Sequence, residues 1–264
     1  MSVLLLGTLD SSVRDEYFSD YVKRLEFLSH AGLDCKFVGT RSYTDGGFFE
    51  SLEKEMPGSV LYVTKTNAQK AGHILRWPRD AFLDLGNRII ACPGYESMVK
   101  DCLAQLHDLR DLEVHPVGEG GYSIHDNGSL FIAREDHLAM PNITPHATFV
   151  SYRPQEYLHM GHLDTKAAVL EGQAFVQESL LHQFPHLSYA FEKKGYSVIS
   201  VPKEDWMLVN MISIDDSVII DDRVSHNLKG KLESLANVIA VKTLPGEVSK
   251  SYGLRCGSNV IIGS

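Results

Sequence analysis

Short apolar runs alternate with amphipathic stretches from one end of this chain to the other, and the pairing recurs at a spacing of about fifty residues. Few architectures satisfy that recurrence, because each short run reads as a strand and each amphipathic stretch as a helix laid against it. Val3 to Gly7, a helical pattern from Val13 to His30 with Leu25 and Leu28 on one side, and Cys35 to Val38 make the first fifty residues strand, helix, strand. Ser59 to Thr64, Ala81 to Leu85 and Arg88 to Ala91 read as strands, Glu96 to Leu109 as a helix, and Leu112 to Pro116 leads into a glycine-rich turn. Ile124 to His125 and Leu130 to Ala133 flank Asp126-Asn127-Gly128, a strong hairpin signal. A helix follows over Ala174 to Lys193, then a strand at Ser197 to Val201 and paired strands at Met207 to Ile214 and Val218 to Asp221. The last elements are a helix from Ser225 to Leu235 and the runs Val238 to Val241 and Val260 to Ile262. The count suggests about five modules of mixed strands and one helix each, with no evident sequence identity between them. Taken alone, the residues imply a mixed α/β fold, with a doubly wound sheet as competitor.

With 264 residues, 44% of them hydrophobic and 22% charged, the chain can bury a large core, and one compact domain over residues 1–264 is expected. Val3 to Leu6 has no positive segment before it and is far shorter than a membrane span, so a cytoplasmic protein without membrane contact is expected. The four cysteines, Cys35, Cys92, Cys102 and Cys256, form no C-x-x-C pair, which favours reduced thiols over a zinc site or a disulfide framework. A formal charge of −9 with Lys and Arg scattered singly gives no basic stripe for nucleic acid and is compatible with a cationic substrate.

Four segments carry candidate chemistry. Cys256 lies in Gly253-Leu254-Arg255-Cys256-Gly257-Ser258-Asn259, where the flanking glycines permit close approach of a ligand to the backbone. A thiol so placed, with a histidine and a carboxylate elsewhere, is what covalent catalysis by cysteine requires, whereas Cys35, Cys92 and Cys102 read as inert small hydrophobes. His162 and Asp164, in Gly161-His162-Leu163-Asp164, would share one face if the segment is extended. His159 makes a metal site conceivable, but no further ligand pair stands at metal spacing. Arg79 and Asp80 follow Trp77-Pro78 at a strand entrance, where the bland reading is solvated surface charge. Glu119, in Gly118-Glu119-Gly120-Gly121, has the bland reading of a turn residue, and G-x-G-x-x-G is absent there.

In the order Arg-Asp, Glu-Gly-Gly, His-x-Asp, late Cys, these segments resemble the pentein superfamily of guanidine-modifying enzymes. Trp-x-Arg-Asp and Gly-His-x-Asp are similar to the agmatine deiminase pattern, and Tyr252-Gly253-Leu254-Arg255-Cys256 is similar to pentein nucleophile segments, with only one of the usual glycines kept. The resemblance implies a five-bladed α/β propeller of ββαβ modules with the active site in its central channel. It implies Cys256 as nucleophile, His162 as general acid and base, Glu119 orienting His162, and Asp80 and Asp164 gripping a guanidinium, with Arg79 and Trp77 beside the substrate. The activity implied is a cysteine-dependent deiminase-type hydrolase acting on arginine or an arginine-derived compound, with no metal and no organic cofactor. The partners expected are a small-molecule guanidine substrate and, at most, a second copy of the chain. An amidinotransferase or dihydrolase using the same thiol adduct, and a non-catalytic binding module on the same scaffold, stand as alternatives. Tyr122 replaces the Asp that follows Glu-Gly-Gly in most deiminases of free arginine, and Ala133 to Leu138 holds no Ser-x-Arg-Thr-like segment, so free arginine, methylarginines, agmatine-like amines and peptidyl arginine all stay open. Arg41, Arg134 and Arg153 are candidates for a substrate carboxylate, and the stretch from Arg41 to Phe49 for a gate.

Overall fold

A single pairing pattern is repeated through the computed structural model. It describes residues 1–9, 14–41, 47–64, 76, 78–108, 110–114, 123–126, 129–132, 147–149, 162–244, 254–255 and 258–263. Strands β1 (Val3–Leu6), β2 (Asp34–Gly39) and β3 (Val60–Tyr62) run parallel. In β4 (Phe82–Asp84), β5 (Ile89–Ala91) and β6 (Leu112–Val114), the first pair is antiparallel and the second parallel. The same order holds for β7 (Ser123–Asp126), β8 (Ser129–Ile132) and β9 (Ala147–Phe149). It holds again for β10 (Ala167–Leu170), β11 (Gln173–Gln177) and β12 (Ser197–Val201), and for β13 (Ile212–Ile214), β14 (Ser217–Asp221) and β15 (Asn237–Val241). The last strand, β16 (Ser258–Ile261), pairs antiparallel with β1 and so gives the first sheet the same motif.

Parallel neighbours need a crossover, and helices supply it. Phe18–His30 joins β1 to β2, Phe48–Glu55 joins β2 to β3, Glu96–Gln105 joins β5 to β6, and His226–Glu233 joins β14 to β15. Phe18–His30 buries Tyr21, Leu25 and Leu28 on one stripe. It ends where Gly32 takes φ 85°, with Leu33 N–H bonded to Leu28 O at 3.1 Å and Gly32 N–H to Ser29 O at 2.9 Å. Only a residue without Cβ enters that conformation without strain.

The chain divides into two compact units: residues 1–115, 243–252 and 256–264 form one, and residues 116–242 with 253–255 the other. In the first, Tyr21 meets Phe37 and Phe48 edge-on at 5.3 and 5.7 Å, and the Arg14 guanidinium lies 4.9 Å from the centre of the Phe48 ring. Gly39 closes β2 because its neighbours leave no room: a Cβ there would lie 2.7 Å from Val60 Cγ1 and 2.8 Å from Phe49 Cγ. The second unit has two apolar clusters, one around Phe131, Phe191 and Leu187, the other around Phe175, Leu208 and Ile220.

Several sequence expectations are corrected. Ala174 to Val176 belong to strand β11, and the expected helix to Lys193 is two short ones, Glu178–Gln183 and His186–Glu192, separated at Pro185. The three apolar residues of β11 are all buried at 0% exposure, so no alternation marks them as a strand. Lys203–Asn210 is a 3-10 segment, and of the expected strand only Ile212–Ile214 pairs in a sheet. Phe48 and Phe49, the end of the expected gate, are buried and begin a helix, and residues 42–46 lie outside the described residues. Strands β9 and β10 are additions to the sequence reading.

Candidate active site

In the first unit, residues Pro78–Ala81 form one helical turn that delivers the chain into β4. Arg79 and Asp80 lie within that turn at 4% and 7% exposure, so the solvated-surface reading of this pair does not apply. Carboxylates are rarely this buried without a partner, and both residues do take part in polar interactions. The turn is held from β16: Asn259 Nδ2 donates to Pro78 O at 3.1 Å and to Phe82 O at 2.9 Å. At the far end of β4, Asp84 accepts from Ile262 N–H at 2.9 Å, from Gly86 N–H at 2.8 Å, and from both Nη atoms of Arg110 at 2.9 and 3.0 Å. Burial nevertheless pushes the Asp84 carboxyl above the usual carboxylate range.

His162 and Asp164 lie in the second unit. The extended segment expected for them is replaced after His162 by a 3-10 turn, Leu163–Thr165. His162 itself is extended (φ −68°, ψ 126°) and half-buried, while Asp164 is 1% exposed. Local chemistry explains the turn. Thr165 N–H and Oγ1 both donate to His162 O, at 3.2 and 2.8 Å, and Gln177 Nε2 donates to Thr165 O at 2.9 Å. Such short-range bonds from Thr compete well with a strand ladder. The turn packs against β7, β10 and Lys203–Asn210. At the end of the last of these, the Asn210 backbone carbonyl accepts the Arg255 N–H at 3.2 Å. Arg255 immediately precedes Cys256 in the sequence.

Cys256, Glu119 and Trp77 lie outside the described residues. Arg79 and Asp80 thus share one turn, and Asp164 lies in another that the extended His162 precedes. The other three cysteines are buried. Burial, reinforced by Asp34 and opposed by Lys36, pushes the Cys35 thiol up to about 12, and burial with Asp101 does the same to Cys102. Among the described residues, no group of three or more His, Cys, Asp or Glu is placed to hold a metal ion, and no helix is long and apolar enough to cross a membrane. The sequence reading passed over Asn259, an amide that immediately precedes the apolar run Val260-Ile261-Ile262.

No family model and no curated protein sequence matches the chain. Solved structures do. An agmatine deiminase from C. jejuni superposes with a TM-score of 0.64 at 13% identity over 100% of this chain and 93% of its own. A cysteine-to-serine variant of dimethylarginine dimethylaminohydrolase from Pseudomonas aeruginosa, complexed with citrulline, gives 0.64 at 12% identity, covering 98% of each chain. The N-terminal domain of a cyanobacterial arginine dihydrolase, also a cysteine-to-serine variant and bound to substrate, gives 0.65 at 12% identity over 99% of this chain and 98% of that domain. All three are pentein superfamily proteins, and at these identities the likeness is one of fold.

Proposed function

We propose that this chain, which has the mixed α/β fold of the pentein superfamily's guanidine-modifying enzymes, is itself a cysteine-dependent hydrolase of a guanidinium compound. The observation that carries the reading is the burial of Asp80 and Asp164, at 7% and 1% exposure, in the two motifs where this chemistry needs carboxylates. A guanidinium is planar, cationic and fork-shaped, so two carboxylates can grip its edges through charge-assisted hydrogen bonds and leave the central carbon open to attack. Arg79 and Trp77 flank the substrate in this reading.

The Cys256 thiolate, favoured by the bound cation, attacks the guanidinium carbon. As the carbon–nitrogen bond breaks, His162 gives its proton to the departing nitrogen, leaving an S-linked amidino adduct. His162 then takes a proton from water, the hydroxide adds to the same carbon, and the carbon–sulfur bond breaks to return the thiolate. The products are ammonia or an alkylamine and a ureido compound. Glu119 orients the imidazole and stabilises its protonated form, and the sequence calls for no metal or organic cofactor. The five sheets are read as the blades of one five-bladed propeller spanning residues 1–264, with these side chains around its channel. The enzyme is read as cytoplasmic and as a monomer or homodimer.

The experiment is release of ammonia and ureido product from arginine, methylarginines, agmatine and an arginine peptide, with Cys256→Ser run in parallel. Turnover of at least one compound is expected, falling roughly 10³-fold or more in the serine variant. Two ammonia per product would identify a dihydrolase, and transfer to an added amine an amidinotransferase. If no compound reacts and none protects Cys256 from alkylation, the chain is a binding module and the enzymatic reading is wrong.

A further inference from the structure

Asn259 lies within β16, opposite Leu5 in the ladder to β1, and is 4% exposed. Nothing about an apolar strand calls for an amide there, since a β-branched residue packs such a position without polar atoms to satisfy. The Asn259 hydrogen bonds show what the amide does. Oδ1 accepts the neighbouring Val260 N–H at 2.9 Å, and Nδ2 bonds Pro78 O at 3.1 Å and Phe82 O at 2.9 Å. Those two carbonyls bracket Arg79, Asp80 and Ala81, so one side chain grips both ends of the turn that bears Asp80. A primary amide is suited to this because it carries two N–H donors in a fixed fork. Asp would present oxygens to two carbonyl oxygens, and Ser has one donor on a shorter reach.

We propose that Asn259 is a positioning residue for Asp80: it fastens the Asp80 turn to the strand that begins two residues after Cys256, and so sets the carboxylate's place relative to the nucleophile segment. This rests on the reading of Asp80 as the carboxylate that grips the guanidinium. Catalysis of this kind is sensitive to small displacements, a misplacement of about 1 Å costing on the order of 10²-fold. The Asp80 turn is a single helical turn, too short to fix itself by internal hydrogen bonds. The bond from Ile262 N–H to Asp84 Oδ2 anchors the exit of β4 to the same part of the chain and Cys92 N–H holds Ala81 O at 2.9 Å, while Asn259 takes the carbonyls on both sides of Asp80.

The test is a double-mutant cycle with Asn259→Ser and Asp80→Asn, measured as kcat/KM on the best guanidine substrate, together with amide hydrogen exchange of residues 78–84. Asn259→Ser is expected to lower kcat/KM by roughly 30- to 100-fold in the native chain and to cost little when added to Asp80→Asn, because the residue it positions is then gone. Exchange over residues 79–83 should speed up while β5 and Glu96–Gln105 keep their protection. Asn259→Val, a β-branched residue that suits the strand and removes both donors without burying a charge, provides the same comparison if the serine variant does not fold. Turnover by the native chain with multiplicative effects of the two substitutions, or with unchanged exchange over residues 79–83, overturns the positioning role alone. No turnover by the native chain overturns the functional reading and the positioning role with it.

Discussion

At the scale of single residues, the three described thiols and the fourth should separate in one labelling experiment. A thiol held near 12 is ionised in roughly one molecule in 10⁴ at pH 8, so Cys35 and Cys102 are inert as well as enclosed. Brief treatment of the native chain with iodoacetamide at that pH should modify Cys256 and leave Cys35 and Cys102 unmodified until urea is added; modification of either buried thiol in the folded chain would contradict the structure. Asp108 gives a second test. Arg110 donates to its carboxylate, from Nη2 at 2.6 Å and from Nε at 3.1 Å, and holds the carboxyl below the usual range. A carboxyl depressed on folding stabilises the native state fully above its unfolded value of about 4, and that contribution is lost as pH falls from there through the lowered value. The urea midpoint of Asp108→Asn should therefore fall less steeply than that of the native chain below about pH 4. Asp84, raised by burial, acts with the opposite sign, its contribution growing as pH falls through the raised value. Residue types at the candidate site were legible in the sequence, but their conformation was not. His162 and Asp164 stood out as a pair, yet Thr165 bends the chain between them and a period-two argument does not see a hydroxyl bonding back three residues. Asn259 was passed over because its partners, Pro78 and Phe82, are about 180 residues away in sequence.

At the scale of elements, amphipathic helices were read well and doubly buried strands poorly. Phe18–His30 announces itself because Tyr21, Leu25 and Leu28 fall on one stripe. β10 and β11 are covered on both faces, so Ala167 to Leu170 and Ala174 to Val176 carry no alternation, and the second run merges with the helices that follow. Close packing between elements produces a sharper expectation at Gly39, where β2 passes against Phe49 of the Phe48–Glu55 helix. Gly39→Ala places a methyl inside the contact distances of Phe49 and Val60, and should destabilise the protein by about 1–3 kcal/mol, read from the urea midpoint. An unchanged midpoint would mean that the ring and strand yield without cost.

At the scale of the whole molecule, the fifty-residue rhythm reported modules, and the described strands bear it out as five small sheets with one repeated pairing pattern. What no local pattern reported is that the first sheet takes a strand from the far end of the sequence, since a pairing between Val3 and Ile261 leaves no periodic trace. Deleting residues 258–263 should thus strip hydrogen-exchange protection from β1, β2 and residues 78–84, while β10 to β15, which surround their own apolar clusters, stay protected. Loss spread evenly over the chain would show that the two sets of sheets do not open separately. The same pairing has a bearing on synthesis. Ribosomes add about 5–20 residues per second, so β1 emerges on the order of ten seconds to a minute before the strand that covers its outer edge. Over that interval the nascent chain carries an apolar strand with an open ladder. The burden on chaperones therefore falls on β1, and slow codons between the two strands would prolong it.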